Sequence, residues 1–316
     1  MNIFIAIFLQ LLQSLMLVAL APIFLGWTNQ NRAWLNNRKG AGVLQPFRLL
    51  HKLFLKDSLV AENASPIFRI TPYIYFCSMC LITAIIPVLS ISLPFAPVAD
   101  VIALVGLFAL ARIFLALAAM DIGTAFGSMG ARREMLVAFL TEPAMLMVFF
   151  NIALISQSTV LATIVSTTLT NVLTLNASLA FAAVAFAMVL LAENARIPID
   201  NPTTHLELTM IHEAMILEYS GRHLALIEWG SSLKLLNYFA IGIAIFFPWG
   251  ITTVFTSTGI VCAGLAFLFK LFLLGSGLAV YEVVTAKIRI FRVPEFLTVA
   301  FLLAILGVLT QLLDVR

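Results

Sequence analysis

The sequence predicts an all-α integral membrane protein with about eight transmembrane helices, a further amphipathic helix in the membrane interface, and both termini on the outside. Composition is the first observation behind this fold class, because 62% of the 316 residues are apolar and only 10% are charged. A soluble domain carries roughly 25% charged residues, and a compact soluble fold could not remove so much apolar surface from water. The second observation is a series of apolar stretches, each close in length to the ~20 residues that a helix needs to cross a bilayer.

Eight such stretches divide the chain. They cover residues 3–26, 70–93, 98–119, 136–157, 175–193, 235–256, 259–281 and 295–313. Backbone groups in lipid must be hydrogen-bonded within the protein, as in helices and closed barrels, and the alternating segments of about 10 residues that mark a barrel are absent. Residues 157–174 contain Gln157, Asn171 and several Ser and Thr, so we predict an outside loop there, either exposed or partly re-entrant.

Basic residues predict the orientation of these spans. Of the 18 Lys and Arg, 15 lie in the four loops that follow the first, third, fifth and seventh spans, and loops of this kind are normally cytoplasmic. The termini are therefore predicted outside. The chain is interpreted as a single polytopic membrane domain, residues 1–316, with cytoplasmic excursions at 28–69 and 194–234.

The first excursion contains the predicted interfacial helix. Apolar residues recur there near helical spacing, including Phe47 and Leu50, with Arg48, His51 and Lys52 between them. A basic amphipathic helix of this kind lies in the plane of the membrane interface. It serves either to anchor the loop or to form the entrance for a lipid-like ligand.

Four ionisable side chains stand out in or beside the predicted spans: Arg112, Glu142 and Lys270 lie inside them, and Glu282 lies at the cytoplasmic end of the seventh. Inserting one charged residue into the membrane costs about 2.5–3.5 kcal/mol on insertion scales. Such residues therefore usually face the bundle interior, pair with one another and mark ion paths. They form either static interhelical pairs or a relay in which protonation breaks and remakes the pairs. Lys270 and Glu282 are separated by about 18 Å along one helix, so each needs another partner.

The second excursion concentrates acidic residues. The five carboxylates are those of Glu193, Asp200, Glu207, Glu213 and Glu218. Because many apolar residues accompany them, the segment is predicted to fold back into the protein and to bury some of the acids. Buried carboxylates near like charges have raised pKa values and exchange protons near neutral pH. This segment therefore predicts a proton path.

Other kinds of site find little support in the sequence. His205 and His212 are spaced wrongly for the paired histidines of a zinc helix, so no metal site is predicted. Neither a Gly-rich phosphate loop nor a nucleophile constellation is present, and we predict no catalytic centre in this chain and no nucleic-acid partner.

Three stretches match the motifs of one known family. Residues 193–202, followed by Glu207 and by residues 218–221, form the first match. The second is Gly-Ala-Arg-Arg at 130–133 with Glu142, and the third is the run from Arg38 to Pro46. Together they resemble the complex I subunit 1 family of NADH-quinone oxidoreductases, which includes the anchor subunits of formate hydrogenlyases and energy-converting nickel-iron hydrogenases. The compact third motif and residues 202–215 resemble the hydrogenase-4 branch.

The resemblance implies a membrane anchor subunit of a complex I-like, formate hydrogenlyase-type oxidoreductase. Such a chain holds no redox centre itself; its expected partners are hydrogenase-like large and small subunits, iron–sulfur subunits of a cytoplasmic arm, and antiporter-like membrane subunits in the lipid bilayer. Iron–sulfur clusters, with or without a nickel-iron centre, would belong to those partners. The resemblance implies that the chain lies in the bacterial or archaeal cytoplasmic (inner) membrane. Electron transfer would there drive translocation of H⁺ or Na⁺ through buried carboxylates.

The charges and the resemblance together predict two sets of site residues. The proton path comprises Glu142, Glu193, Asp200, Glu207, Glu213, Glu218, Arg112, Lys270 and Glu282. The quinone-like cavity and arm interface comprise Arg38, Gly40, Gln45, Arg133, Arg196, Pro198 and Tyr219.

Two alternative functions stay open at this point. Within the same family, the chain would be the quinone-binding subunit of an NADH-quinone oxidoreductase. From another class, it would be a stand-alone ion-coupled secondary transporter, although the inverted repeats that transporters commonly contain are not evident.

Overall fold

The computed structural model describes residues 3–91, 94–95, 98–170, 177–200, 210–252 and 257–314, and these form a helical bundle. The helices are α1 (Ile3–Leu35), α2 (Gln45–Phe54), α3 (Pro66–Ile85), α4 (Val101–Asp121), α5 (Ala125–Ser156), α6 (Leu161–Thr170), α7 (Ala177–Glu193), α8 (His212–Ile216), α9 (Gly221–Phe246), α10 (Ser257–Val284) and α11 (Val293–Asp314). The predicted all-helical membrane class is confirmed.

Within the described residues, seven helices are long and apolar enough to cross a membrane: α1, α3, α4, α5, α9, α10 and α11. The eighth predicted span corresponds to α7, which is apolar and has 17 residues. At about 1.5 Å per residue, α7 is shorter than the other seven, and it packs between α5 and α11. The side of the membrane on which the termini lie stays a prediction.

Two spans begin more than ten residues earlier than the sequence predicted. The predicted span 136–157 is α5, which starts at Ala125, and the predicted span 235–256 is α9, which starts at Gly221. The predicted spans were bounded at charged residues, but several of these charged side chains contact polar partners inside the bundle rather than lipid. Helices can therefore contain them, as intramembrane charges that face the protein interior generally do.

Residues 157–174 were predicted as an outside loop, either exposed or partly re-entrant, and within the described residues 157–170 the structure rules out only the fully exposed form. Residues 161–170 form α6, whose Leu161, Ile164 and Val165 are fully buried. Ten residues extend only about 15 Å, so α6 does not cross the bundle. The polar Ser and Thr that obscured this helix bond carbonyls of their own helix, as Thr168 does to Ile164 at 2.8 Å.

The predicted amphipathic helix is α2. Its Leu50 and Leu53 are buried against Ala225 of α9, whereas Arg48 and Lys52 are exposed. The apolar face therefore packs on the protein itself, and the basic face is the free one.

The loops that carry most of the basic residues meet at one end of the bundle, here named the basic end. There Ser220 exchanges two hydrogen bonds of 2.8 Å with the backbone of Leu59. Gly221 follows in the left-handed region, with φ of +54°, and a Cβ at this position would lie 2.6 Å from the carbonyl oxygen of Asp57. Only glycine fits this junction without displacing backbone.

Candidate functional site

A cavity of about 270 Å³ lies inside the bundle towards the basic end. Side chains from α1, α3, α5, α7, α8, α9 and α10 form its wall. Ten of its nineteen described lining residues have acidic or basic side chains: Arg32, Glu134, Glu193, Arg196, Asp200, His212, Glu213, Glu228, Lys234 and Glu282. Since one water occupies ~30 Å³ of liquid volume, this cavity, named the chamber below, has room for several waters.

Arg112 of α4 forms the centre of an ion-pair cluster deep in the bundle. Its Nη1 lies 3.2 Å from Glu142 and its Nε lies 3.5 Å from Glu134, both on α5. Its Nη2 pairs with Glu193 at the end of α7. The Arg112 side chain is only 4% exposed. One guanidinium is therefore shared among three carboxylates from two helices.

Lys234 of α9 completes this group, which we name the Arg112 cluster: Arg112, Glu134, Glu142, Glu193 and Lys234. Lys234 Nζ lies 3.1 Å from the Glu193 carboxylate and donates a 2.6 Å hydrogen bond to the Glu193 carbonyl. A cation is favourable at this carbonyl because α7 ends there. Thr141 also donates to Glu193, at 2.6 Å. With every group ionised, three acids face two cations, so the cluster carries one excess negative charge.

Glu142 lies on the outer side of the cluster. Its side chain is 35% exposed, compared with 2% for Glu193. A small void of about 10 Å³ adjoins Arg112, Glu142, Glu193 and Tyr238, which is close to the space that one water needs. Glu142 therefore connects the buried cluster to the lateral surface of the bundle.

A second group of ion pairs lies at the basic end. Glu282 of α10 pairs with Arg196 at 3.2 Å and with Arg32 at 3.5 Å. Asp200 pairs with Lys287 at 3.3 Å and accepts a 3.2 Å hydrogen bond from the Ile211 amide. These pairs tie residues 194–200 to α1 and α10 around the chamber.

Lys270 is placed apart from the other intramembrane charges. Its Nζ donates to the carbonyls of Phe247, at 2.8 Å, and Trp249, and it lies 5.0 Å from the centre of the Trp249 ring. α9 ends at Phe246, so Lys270 caps carbonyls that the end of this helix leaves unpaired. The expected grouping of Lys270 with Arg112 and Glu142 is not seen.

Other predicted residues also lie outside the chamber. Glu218 is exposed, and Tyr219 stacks on Phe68 with ring centres 4.0 Å apart while donating to the Phe68 carbonyl at 3.0 Å. Tyr219 does not line the chamber, because packing against α3 occupies both its ring and its hydroxyl. Its assignment to the cavity and arm-interface set stays a prediction. Glu207 lies outside the described residues.

The other residues of the predicted cavity and arm-interface set lie in three places. Arg196 lines the chamber, and the neighbouring Pro198 is buried. Arg133 instead donates to the Met210 carbonyl at 2.9 Å and fixes the approach to α8. Arg38 and Gln45 are exposed beside the end of α1.

Gly40 belongs with that exposed loop rather than with the chamber. A Cβ at Gly40 would meet the Gln30 side chain at 2.1 Å, and Gln30 also accepts a 3.0 Å hydrogen bond from the Gly42 amide. The loop is therefore folded against α1.

The chamber residues that sequence reasoning did not assign to the site include Arg32, Tyr75, Glu134, His212, Glu228, Ser231 and Lys234. Glu134 and Glu228 were overlooked because the predicted spans started after them. Helical spacing carried the signal for Glu134, since it lies eight residues, or about 12 Å along a helix, before the predicted site residue Glu142.

His212 enters the chamber wall as a half-buried histidine. Burial lowers its pKa, the nearby Lys234 ammonium lowers it further, and Glu213 and Asp200 oppose this change. Its Nε2 lies 3.2 Å from Ser231 Oγ, and Tyr75 Oη lies 3.4 Å from the same oxygen. Imidazole and two hydroxyl groups thus form a neutral polar chain beside the ion pairs.

Known proteins place this bundle in a family. The family model for NADH dehydrogenase matches residues 7–312. Formate hydrogenlyase subunit 4 of Escherichia coli is 33% identical over 302 residues, which cover 96% of this chain and 97% of that protein. Hydrogenase-4 component C of the same organism is 33% identical over 240 residues, with 76% and 75% of the two chains covered.

A solved structure shares the fold. The structure of the membrane-bound sulfane sulfur reductase, an archaeal respiratory membrane complex, contains a chain that matches with a TM-score of 0.83 at 17% identity, covering 98% of this chain and 100% of that one. The curated relatives are subunits of oxidoreductase complexes, which supports a role for this multi-pass membrane protein within such a complex. The chain belongs to the NADH dehydrogenase family, the group of membrane proteins that resemble complex I subunit 1.

Proposed function

We propose that this chain is the membrane anchor of a hydrogenase-type oxidoreductase complex and conducts protons through the chamber and the Arg112 cluster. The observation that carries the proposal is the sharing of Arg112 among Glu134, Glu142 and Glu193 at the inner side of a polar chamber. The proposed setting is the cytoplasmic membrane of a bacterium or archaeon, with iron–sulfur and hydrogenase-like subunits on the basic end.

The charge balance of the Arg112 cluster supports proton transfer. Three carboxylates with two cations leave one excess negative charge, which a proton can neutralise without disturbing the remaining pairs. Protonation of Glu193 would weaken its hold on Arg112 and strengthen the pairing of Arg112 with Glu142. The stronger pairing would release a proton held by Glu142 towards the lateral surface, so one proton leaves the cluster for each proton that enters it from the chamber.

Residues 194–200 would let the cytoplasmic arm of the complex control this proton transfer. The segment contributes Arg196 and Asp200 to the chamber wall and is tied to Glu282 and Lys287 by ion pairs. Electron arrival in an arm docked on this segment would change the local charge or shift the segment. Either change alters the field at the chamber, and thereby the proton affinity of its acids.

The chamber lining favours water and protons over a quinone. Ligand pockets are lined mainly by apolar and aromatic side chains, whereas ten of the nineteen described chamber residues are acidic or basic. An apolar ring would exclude water from these charges at a large desolvation cost. We therefore expect a photoreactive quinone to leave residues 28–69 and 194–221 unlabelled; specific labelling there would favour the quinone-binding alternative.

Partner membrane subunits are part of the proposal. A half-exposed carboxylate such as Glu142 is costly against lipid, which supports a neighbouring membrane subunit, of the antiporter-like kind, at this face. The stand-alone transporter alternative makes the opposite prediction. A purified chain that is stable and transport-active without other subunits would contradict the anchor role.

The test replaces Glu142 by Gln in the intact complex. Glu142→Gln keeps the size of the side chain and the contact with Arg112 but cannot exchange a proton, so we expect normal assembly and electron transfer with protons translocated per electron reduced by about tenfold or more, in line with the loss of an acid–base group. The exposed Glu218→Gln is the matched control. Unchanged translocation in Glu142→Gln would contradict the proposal.

A further inference from the structure

A chain of uncharged polar groups crosses the chamber from α8 to α3. His212 of α8 and Tyr75 of α3 both contact the hydroxyl of Ser231 on α9, at 3.2 Å and 3.4 Å. All three residues line the chamber. They are separated by up to 156 positions in the sequence, so only the tertiary structure brings them together.

Close helix packing fixes this chain in place. A Cβ at Gly230 would lie 2.6 Å from the Tyr75 ring, so the absence of a side chain there lets α3 press directly on α9. A Cβ at Gly130 would lie 2.9 Å from Ala214, so α8 rests equally closely on α5. Both glycines adjoin or support members of the chain, which makes its geometry a built feature of the packing.

The two ends of the chain face different acids. His212 interacts electrostatically with Lys234, Glu213 and Asp200, all three of which line the chamber. Tyr75 interacts electrostatically with Glu134 and Glu228, and with the positive charge of Arg112. The chain therefore runs from the acids of the 194–216 region to an acid of the Arg112 cluster.

The protonation state of His212 suits it for transfer. Burial and the Lys234 charge hold its pKa below the ordinary value of 6.5. A neutral imidazole has one N–H donor and one acceptor nitrogen, so it can accept a proton on one nitrogen while releasing one from the other.

We propose that His212, Ser231 and Tyr75 form a hydrogen-bonded relay that carries protons from the Asp200–Glu213 side of the chamber to Glu134. The inference rests on the proposed proton-conducting function and names a route within it. In one cycle, His212 Nδ1 takes up a proton from an acid or a water of the chamber, and Nε2–H passes its proton to Ser231 Oγ. The Ser231 proton moves to Tyr75 Oη, and the Tyr75 proton passes through chamber water to Glu134.

When these transfers occur together, Ser231 and Tyr75 each gain one proton and lose one, so both hydroxyls stay neutral. The proton donor of the chamber loses one proton, and the Glu134 carboxylate gains one. Rotation of the hydroxyls and exchange of the imidazole tautomer through chamber water restore the starting state. The ion pairs of Glu282, Asp200 and Glu193 need not break during this transfer, so the relay offers a route that keeps the chamber wall intact.

The test is chemical rescue in membrane vesicles that contain the whole complex. His212→Ala removes the imidazole, and we expect protons translocated per electron to fall by about tenfold, as for loss of a proton-transfer side chain, while electron transfer continues. Added imidazole should restore translocation, because the enlarged chamber can admit it. His223→Ala is the matched control, since His223 packs on Tyr73 of α3, outside the chamber.

Ser231→Ala provides an independent variant with a minimal change of volume. It interrupts the relay while keeping His212, so translocation should fall and imidazole should give no rescue. If His212→Ala fails to assemble, Ser231→Ala decides the question alone. Normal translocation in Ser231→Ala, or a loss in His212→Ala that imidazole does not reverse in an assembled complex, would overturn the relay.

These outcomes are separable from failure of the proposed function. Normal translocation in Glu142→Gln counts against proton conduction through the Arg112 cluster. Loss in Glu142→Gln together with normal translocation in Ser231→Ala counts only against the relay.

Discussion

Removal of Arg112 is expected to destabilise the protein strongly. Arg112→Met keeps much of the side-chain volume but leaves Glu134, Glu142 and Glu193 without their shared cation. The Arg112 side chain is 4% exposed and that of Glu193 is 2% exposed, so little solvent reaches the position that the guanidinium leaves. Breaking a buried pair from one side typically costs about 3–5 kcal/mol, and we expect the free energy of unfolding to fall by this amount.

A second substitution tests the cause of this loss. In Arg112→Met/Glu193→Gln, one of the stranded carboxylates is also removed, and the amide oxygen that replaces it can still accept the hydrogen bond from Thr141. Residues in direct contact show interaction energies of about 0.5–3 kcal/mol, so the double variant should recover at least ~1 kcal/mol relative to the sum of the single changes.

The assay is denaturant unfolding of the purified protein in mixed micelles, followed by the loss of helical signal. Arg48→Met on the exposed face of α2 is the control and should change stability by less than about 0.5 kcal/mol. The reasoning is refuted if Arg112→Met matches this control, or if the double variant is as unstable as the two single changes added together.

Three further predictions concern other parts of the molecule. Lys270→Met should lower the free energy of unfolding by about 1–3 kcal/mol, because it leaves carbonyls at the end of α9 unpaired, whereas the number of protons translocated per electron should not change. A variant that keeps full stability but loses translocation would instead place Lys270 in the proton path. Gly221→Ala should lower the free energy of unfolding by more than the ~1–2 kcal/mol of a left-handed residue, because the new Cβ also meets the Asp57 carbonyl. Gly42 is also at positive φ but lies in open space, so Gly42→Ala should show the conformational cost alone. Equal losses of stability in the two variants would contradict the steric argument. Because the pKa of His212 is lowered on folding, the unfolded chain takes up a proton first as the pH falls below 6.5, so stability should drop with acidification in that range and drop less steeply in His212→Gln; identical pH profiles would refute this.

The fold was largely predictable because its strongest determinant, apolar segment length, is local. The errors arose where tertiary contacts override local composition. α9 starts fourteen residues before the predicted boundary of 235, since Glu228 and Lys234 face the chamber rather than lipid. α6 was missed because its hydroxyl groups, read as polar, are satisfied by the carbonyls of their own helix.

The site was predictable only in part, for a related reason. Arg112 and Glu142 stood out because each is an isolated charge in an apolar stretch, and the structure pairs them. Glu134 was harder to identify, because its eight-residue spacing from Glu142 has meaning only once the helix boundary and the contact with the distant Arg112 are known. Tyr219 was assigned to the cavity from its motif alone, and its packing on Phe68 is a property of the three-dimensional structure.

The central claim is that Glu142 gains and loses a proton during turnover. Infrared difference spectroscopy of the intact complex, reduced minus oxidised, detects such a change as a carboxyl band. The account predicts a protonated-carboxyl band that disappears in Glu142→Gln and persists in Glu218→Gln. A difference spectrum without a carboxyl band, or one that Glu142→Gln leaves unchanged, would contradict it.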